Sequence, residues 1–210
     1  MATGDAALAR LCDPTAEVSA HYLVWEDGVI DQLVPEAARA WHAGRASWRG
    51  CTDLNSASIG IEIVNAGHDG GCPPYPDAQI AAVIALCRDV CVRHPVPPSR
   101  VLAHSDVAPA RKQDPGELFP WATLAAAGVG IWPPLPDDLQ AMRVDVEDIR
   151  AALTAIGYDV REGGKVPDVV LAAFQRHWRP RKVDGLLDSK TAARILQVAS
   201  AMGGQTRRSM

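Results

Sequence analysis

The loop from Ala103 to Gly116 concentrates side chains that could bind a metal ion or catalyse a reaction. It holds the imidazole of His104, the carboxylate of Asp114 and the amine of Lys112, together with two prolines. Imidazole and carboxylate groups are suitable ligands for Zn²⁺. The prolines reduce the entropy that the loop would lose on closing around one ion. From these residues alone, the loop is either a metal or catalytic site or a solvated polar loop.

Glu62 is a carboxylate in an otherwise apolar run. The segment from Ser58 to Asn65 alternates like a β-strand, with three isoleucines on one face and Glu62, between Gly60 and Val64, on the other. A carboxylate is costly to bury unless it is paired. Either this face of the strand is open to solvent, or Glu62 is a general base beside a bound metal, with its pKa adjusted by burial.

Two tryptophans lie in polar segments that also contain glycine, Trp41-His-Ala-Gly44 and Trp48-Arg-Gly50. Aromatic faces stack well on sugar rings and peptide edges. These tryptophans therefore belong either to a substrate cleft or to ordinary packing. His68 and His94 lie in loops near glycine or proline, and we expect both on the surface.

Length and composition limit the class of protein. A chain of 210 residues with 48% hydrophobic residues can bury a sizeable core. No apolar run reaches the roughly 18–20 residues that span a bilayer, and the first residues lack the pattern of a signal peptide. A net charge of -4 argues against a nucleic-acid partner. The five cysteines include no C-x-x-C pair, which favours buried free thiols and a reducing compartment.

The elements that position these residues predict an α/β fold, with a mixed central β-sheet flanked by helices. Two apolar segments flank Glu26-Asp27-Gly28, which is typical of a hairpin. Beyond Asp77, apolar residues recur every three or four positions, as in a helix. The predicted elements are a helix over 5–12, strands over 21–25, 29–34 and 58–65, a helix over 77–93, and a short buried strand over 101–104.

A change in composition divides the chain in two. Prolines crowd the segment 131–138, and they cannot continue a helix or a central strand. We predict a linker there, between a domain of residues 1–132 and a second of residues 139–201, with a frayed tail from 203. The second domain is predicted to be a small three-helix bundle, with helices over 149–156 and 170–177 and a third capped by Asp188.

Four motifs occur in a fixed order in the first domain: Val18-Ser-Ala-His-Tyr22, Trp41-His-Ala-Gly44, Ser58-Ile-Gly-Ile-Glu-Ile-Val-Asn65, and His104-Ser-Asp followed by Arg111-Lys-Gln-Asp-Pro-Gly116. Over about residues 1–130 they resemble the zinc-dependent N-acetylmuramoyl-L-alanine amidases, specifically the type 2 amidase domain. The second domain resembles a peptidoglycan-binding helical module, through Ala173-Phe-Gln-Arg176 and the Asp-Gly turn after Val183.

The resemblance implies a Zn²⁺ cofactor, a peptidoglycan or muropeptide substrate, and roles for seven residues. His104 and Asp114 match two of the family's three zinc ligands. Glu62 matches the catalytic glutamate, and Lys112 matches the lysine that stabilises the charged transition state. The substrate-binding candidates are His42, Trp41 and Asn65.

The family's third zinc ligand is a histidine on a strand ahead of the first helix, and this chain begins at about that helix. No histidine precedes His21, which matches a different motif. Three explanations stay open. The chain is a truncated form of a longer protein; or His42, His68, a water or another chain supplies the ligand; or the protein has kept wall binding and lost catalysis. The chain as written predicts a cytoplasmic location, whereas truncation would be consistent with the cell envelope.

Overall fold

The computed structural model describes residues 3–134, 145–160 and 165–206. The described residues contain three strands and eight α-helices. The strands are β1 (Tyr22–Val24), β2 (Ile30–Gln32) and β3 (Ile61–Ile63). The helices are α1 (Gly4–Cys12), α2 (Leu54–Ala57), α3 (Asp77–Arg93), α4 (His104–Val107), α5 (Trp121–Ala126), α6 (Val146–Ile156), α7 (Asp168–Trp178) and α8 (Ser189–Thr206).

The sheet is mixed, as the sequence predicts. Its order is β2-β1-β3, with β1 antiparallel to β2 and parallel to β3. Leu23 in the central strand pairs with Asp31 on one side and with Glu62 on the other. The predicted hairpin is confirmed, and its turn contains Gly28 at φ +88°. A Cβ at Gly28 would lie 2.8 Å from the carbonyl oxygen of Ala78, so this turn requires glycine.

Helices cover both faces of the sheet. One face packs Tyr22 and Val24 of β1, with the isoleucines of β3, against the apolar stripe of α3. The other face packs Leu23 and Val64 against α1. The alternation predicted around Glu62 is therefore present, with Glu62 on the α1 face, where it is half-buried.

The predicted strand over 101–104 is wrong. Val101 to Ala103 form no ladder, and His104 begins the single-turn helix α4. The cause is Asp106, whose Oδ2 accepts the backbone N–H of Ala103 at 2.9 Å. A side chain that satisfies a nearby backbone donor in this way competes with strand pairing.

The C-terminal part is the predicted three-helix bundle. The Asp145 side chain caps α6 by accepting from the backbone N–H of Glu147. The Asp188 side chain caps the start of α8 by accepting from the backbone N–H of Thr191 at 2.8 Å. The bundle encloses fully buried apolar side chains, including Ile149, Leu153, Phe174 and Ile195. A frayed tail was predicted from residue 203. Helix α8 instead continues to Thr206, so the prediction is wrong for residues 203–206.

The motif residues of the bundle hold its own turn together. Gln175 Oε1 accepts from the backbone N–H groups of Asp184 and Gly185, at 3.0 and 2.8 Å. Gln175 Nε2 donates to the carbonyl oxygen of Leu186 at 3.0 Å. The glutamine and the Asp-Gly turn that suggested a peptidoglycan-binding module are thus joined inside the bundle.

The bundle and the first part of the chain share one apolar cluster. Trp48, Val107 and Ala108 pack with the buried residues of α6, α7 and α8. Only glycine fits at position 157, at the end of α6, because a Cβ there would lie 2.4 Å from the Trp48 ring. The boundaries predicted at 132 and 139 stay a prediction. Of the predicted linker, residues 135–138 lie outside the described residues.

The cysteines are free, as predicted, but only Cys87 is buried. Burial raises the pKa of the Cys87 thiol to about 12. His68 and His94 lie on the surface, which confirms that prediction. Among the described helices, none is long and apolar enough to cross a bilayer.

Candidate active site

His104 and Asp114, the two predicted metal ligands, face each other. His104 Nδ1 lies 2.9 Å from Asp114 Oδ2, and His104 Nε2 lies 3.1 Å from the carbonyl oxygen of Ala43. Both partner oxygens only accept hydrogen bonds, so either ring nitrogen can donate to its neighbour. With a metal ion on Nδ1, the ring would keep its proton on Nε2 and donate it to the Ala43 carbonyl. An imidazole nitrogen and a carboxylate oxygen at this spacing, with the ring held from behind, form a donor set that fits Zn²⁺.

Backbone hydrogen bonds shape the loop that carries both groups. The N–H of Ser105 donates to the carbonyl oxygen of Asp114 at 3.0 Å, which brings the two ends of the loop together. The N–H of Lys112 donates to the carbonyl oxygen of Ala108 at 2.9 Å. Arg111 Nη2 donates at 2.7 Å to the Ala43 carbonyl, the same oxygen that faces His104 Nε2. The ring orientation is therefore fixed by a second segment of the chain.

Glu62 lies within electrostatic range of this pair. Burial raises the pKa of Glu62, and the negative charge of Asp114 raises it further, while His104 and Lys112 oppose the change. The pKa of Asp114 lies below its ordinary value. Loss of contact with water would by itself raise this pKa, but the hydrogen bond with His104 and the charges of His104 and Lys112 outweigh that effect. The structure thus brings Glu62, Lys112, His104 and Asp114 into one electrostatically coupled group.

His42 lies beside this group, against the start of β3. Its ring leaves no space for a side chain at position 60, because a Cβ on Gly60 would lie 2.2 Å from His42 Cγ. His42 Nε2 is 3.0 Å from Ser58 Oγ. Burial lowers the pKa of His42 to about 4, and the charges of His21 and His104 add to this effect. His42 is therefore neutral at ordinary pH.

The other two substrate-binding candidates differ in their surroundings. Trp41 is 49% exposed, so its ring is free to stack on a ligand. The Asn65 side chain accepts from the backbone N–H of Gly67 at 2.9 Å and donates to the carbonyl oxygen of Pro73 at 3.0 Å. Asn65 thus closes the loop after β3. Trp48 is a packing residue of the shared apolar cluster.

Sequence reasoning missed a buried network beneath the site. Asp106 Oδ1 accepts from the hydroxyl of Tyr158 at 2.5 Å, and Asp106 Oδ2 lies 2.6 Å from His177 Nδ1. The His177 ring is stacked between Trp121 and Trp178, at centroid distances of 3.9 and 4.0 Å. Asp106 lies on α4, two residues after His104. The network therefore connects the bundle to the segment that carries a predicted metal ligand.

Comparison with known proteins shows the family of the chain. Residues 1–117 match the family described as N-acetylmuramoyl-L-alanine amidase, and the chain belongs to this family. It is 41% identical to N-acetylmuramoyl-L-alanine amidase AmiD of Escherichia coli (strain K12), over 90% of this chain and 75% of that protein. It is also 42% identical to 1,6-anhydro-N-acetylmuramyl-L-alanine amidase AmpD of Citrobacter freundii, over 52% of this chain and 56% of that protein.

Two solved structures share the arrangement of both parts of the chain. A complex of E. coli AmiD with the substrate anhydro-N-acetylmuramic acid-L-Ala-D-gamma-Glu-L-Lys superposes with a TM-score of 0.84 at 39% identity, covering 95% of this chain and 85% of that one. AmpDh3 from Pseudomonas aeruginosa superposes with a TM-score of 0.83 at 34% identity, covering 94% of this chain and 87% of that one. The mixed sheet flanked by helices is therefore the fold of a family of amidases.

Proposed function

We propose that this chain hydrolyses the amide bond between N-acetylmuramic acid and L-alanine in peptidoglycan or muropeptides, in a reaction that depends on Zn²⁺. The observation that carries the proposal is the contact of 2.9 Å between His104 Nδ1 and Asp114 Oδ2, with the half-buried carboxyl of Glu62 close enough for their charges to shift its pKa. The family match and the relatives named as N-acetylmuramoyl-L-alanine amidases support it.

The residues of the site suit the steps of amide hydrolysis. His104 and Asp114 would hold Zn²⁺, which when bound polarises a carbonyl group and lowers the pKa of a water molecule. Glu62 accepts the proton of the attacking water and passes it to the amine of L-alanine as the C–N bond breaks. Lys112 donates a hydrogen bond to the oxyanion that develops on the carbonyl, a contribution of roughly 2.7–4 kcal/mol.

The two histidines considered as a third ligand both have contacts of their own. His42 Nε2 contacts Ser58, and His68 Nε2 lies 2.7 Å from Glu117 Oε2. Among the described residues, neither histidine has a ligand atom grouped with those of both His104 and Asp114, so we assign this metal to His104 and Asp114 alone. The rival proposal, a peptidoglycan-binding protein without catalysis, is tested by the same experiment.

The test uses the purified chain, loaded with zinc, and the anhydro-muramyl tripeptide with which the AmiD relative was solved. Released peptide is measured by mass spectrometry. Glu62→Gln should retain bound zinc and lower kcat by about 10²–10⁴-fold, because it removes the general base. Asp114→Ala should lose activity and the zinc ion assigned to His104 and Asp114. Glu26→Gln, which changes an exposed glutamate in the hairpin turn, is the matched control and should leave both unchanged.

Two results would overturn the assignment. If the wild-type chain binds stoichiometric zinc and releases no peptide from the tripeptide or from sacculi, the non-catalytic proposal replaces it. If Glu62→Gln and Asp114→Ala both retain activity, the residues have been assigned wrongly.

We further propose that the C-terminal bundle holds the enzyme on its polymer and raises the effective substrate concentration. The likeness of its motifs to a peptidoglycan-binding module supports this role. Because Gln175 and the Asp-Gly turn bond to each other, the binding surface must be formed by other, exposed residues. Co-sedimentation of the inactive Glu62→Gln chain with purified sacculi measures this binding, and absence of co-sedimentation would contradict it.

A further inference from the structure

A second group of metal-ligating side chains lies outside the proposed catalytic pair. His68 and Cys72 belong to the loop after β3, and Glu117 follows Asp114 by three residues. One ligand atom from each of the three side chains lies within 4.8 Å of the other two. The group shares no residue with the pair of His104 and Asp114, and nothing in the proposed hydrolysis uses it.

The loop that carries His68 and Cys72 is closed by its own hydrogen bonds. The backbone N–H of Cys72 donates to the carbonyl oxygen of Gly67 at 2.8 Å. The Asn65 side chain joins both ends of the loop by bonding to Gly67 and Pro73. The imidazole and the thiol are therefore held on one side of a fixed turn, which reduces the entropy that a ligand would cost.

Glu117 is held with one oxygen toward that loop. Its Oε1 accepts from Arg176 Nε at 2.9 Å, and its Oε2 lies 2.7 Å from His68 Nε2. Arg176 comes from α7 and is largely buried, so the carboxylate cannot turn freely. The positive charge of Arg176 disfavours a bound cation. The Cys72 thiolate and the Glu117 carboxylate together carry two negative charges, which outweigh that single positive charge.

We propose that His68, Cys72 and Glu117 bind a second Zn²⁺ ion, with water completing a tetrahedral site. Ligand distances of about 2.0–2.3 Å from Zn²⁺ place tetrahedral ligand atoms roughly 3.3–3.6 Å apart. The contact between His68 and Glu117 must open from 2.7 Å, while the thiol lies no more than 4.8 Å from the ligand atoms of the other two residues. Adjustments of about 1 Å suffice, and all three side chains are exposed or half-buried, so they have room to move.

The donor set selects the class of metal. A thiolate and an imidazole favour zinc and similar transition metals over Mg²⁺ and Ca²⁺, which prefer oxygen ligands. A bound ion would connect the loop of His68 and Cys72 to the segment after Asp114, and through Arg176 to the bundle. We therefore expect it to stabilise the chain against thermal unfolding.

Cobalt(II) is the probe, because a thiolate bound to Co²⁺ gives a charge-transfer band in the near ultraviolet that histidine and carboxylate ligands do not. The full chain, kept reduced with a phosphine, is titrated with Co²⁺. We expect one thiolate-bound cobalt per chain. The band should persist in Asp114→Ala, which disables the proposed catalytic site, so failure of the amidase proposal leaves this test intact.

Cys72→Ser should abolish the band. The matched control is Cys51→Ser, which changes an exposed cysteine outside the proposed site and should retain the band. His68→Ala and Glu117→Gln should each weaken cobalt binding at least 10-fold, with far-ultraviolet circular dichroism confirming that they fold. The proposal is overturned if the wild-type chain gives no band, if Cys72→Ser keeps it, or if His68→Ala binds cobalt like the wild type.

Discussion

Replacing Asp106 with asparagine tests whether the buried network holds the bundle against the site. The side chain of Asp106 is 1% exposed, and its two oxygens receive three donors: Tyr158 Oη on Oδ1, and the backbone N–H of Ala103 and His177 Nδ1 on Oδ2. Asparagine keeps the shape but offers one acceptor oxygen and one NH₂ group. In either orientation the NH₂ group faces at least one donor, and His177 loses the carboxylate beside it.

The expected loss of unfolding free energy is about 3 kcal/mol, the lower end of the range for breaking a buried pair. For a chain of 210 residues, each kcal/mol corresponds to roughly 2–4 °C in Tm. Asp106→Asn should therefore lower Tm by about 6–12 °C. The apolar cluster shared by Trp48 and the bundle remains in this variant, so we expect one cooperative transition at the lower temperature.

Calorimetry and urea unfolding measure the change, with Asp53→Asn as the matched control. Asp53 is 55% exposed and pairs with Arg39 at 3.1 Å, so its replacement should cost about 0–1 kcal/mol. If Asp106→Asn costs no more than the control, the network does not contribute to the stability of the fold, and the reasoning above is wrong.

Three further predictions concern other parts of the chain. Hydrogen bonds from Arg93, and then from Tyr22, hold the pKa of Glu36 well below its ordinary value of 4.5. Ionised Glu36 therefore stabilises the fold above pH 4.5, and this stabilisation is lost as the pH falls through the lowered pKa. Glu36→Gln should lower Tm at pH 7, and the difference from the wild type should shrink steadily in acid. Gly60→Ala should lower Tm and activity together, because its Cβ would collide with the His42 ring; unchanged Tm would refute this. Phe174→Ala should cost about 3–5 kcal/mol in urea unfolding, because the ring is fully buried.

The elements that the sequence predicts well are those defined by local periodicity. The apolar spacing predicted a helix over 77–93, and α3 occupies those residues. The turn around Gly28 predicted the hairpin of β1 and β2. The alternation around Glu62 placed it on the face opposite the isoleucines, which is where it lies. In each case the hydrophobic pattern and the turn residues point to the same structure, so short windows contain enough information.

The misassigned segment over 101–104 shows where this reasoning fails. Three apolar residues before a polar loop fit a buried strand as well as an irregular buried segment. The decision depends on Asp106, whose carboxylate bonds the N–H of Ala103. That carboxylate can be buried there only because Tyr158 and His177 supply its other donors. Those residues lie 52 and 71 positions further along the chain, so no local window contains the cause.

The same network changes how the two parts of the chain relate to each other. His104 begins α4, and Asp106 on that single turn is bonded to the bundle through its side chain. The position of the imidazole therefore depends on α7 as well as on its own loop. A module that only held the enzyme on its polymer would need no buried polar contact with the segment that carries a metal ligand. The bundle is thus a structural component of the proposed active site, whatever it contributes to substrate binding.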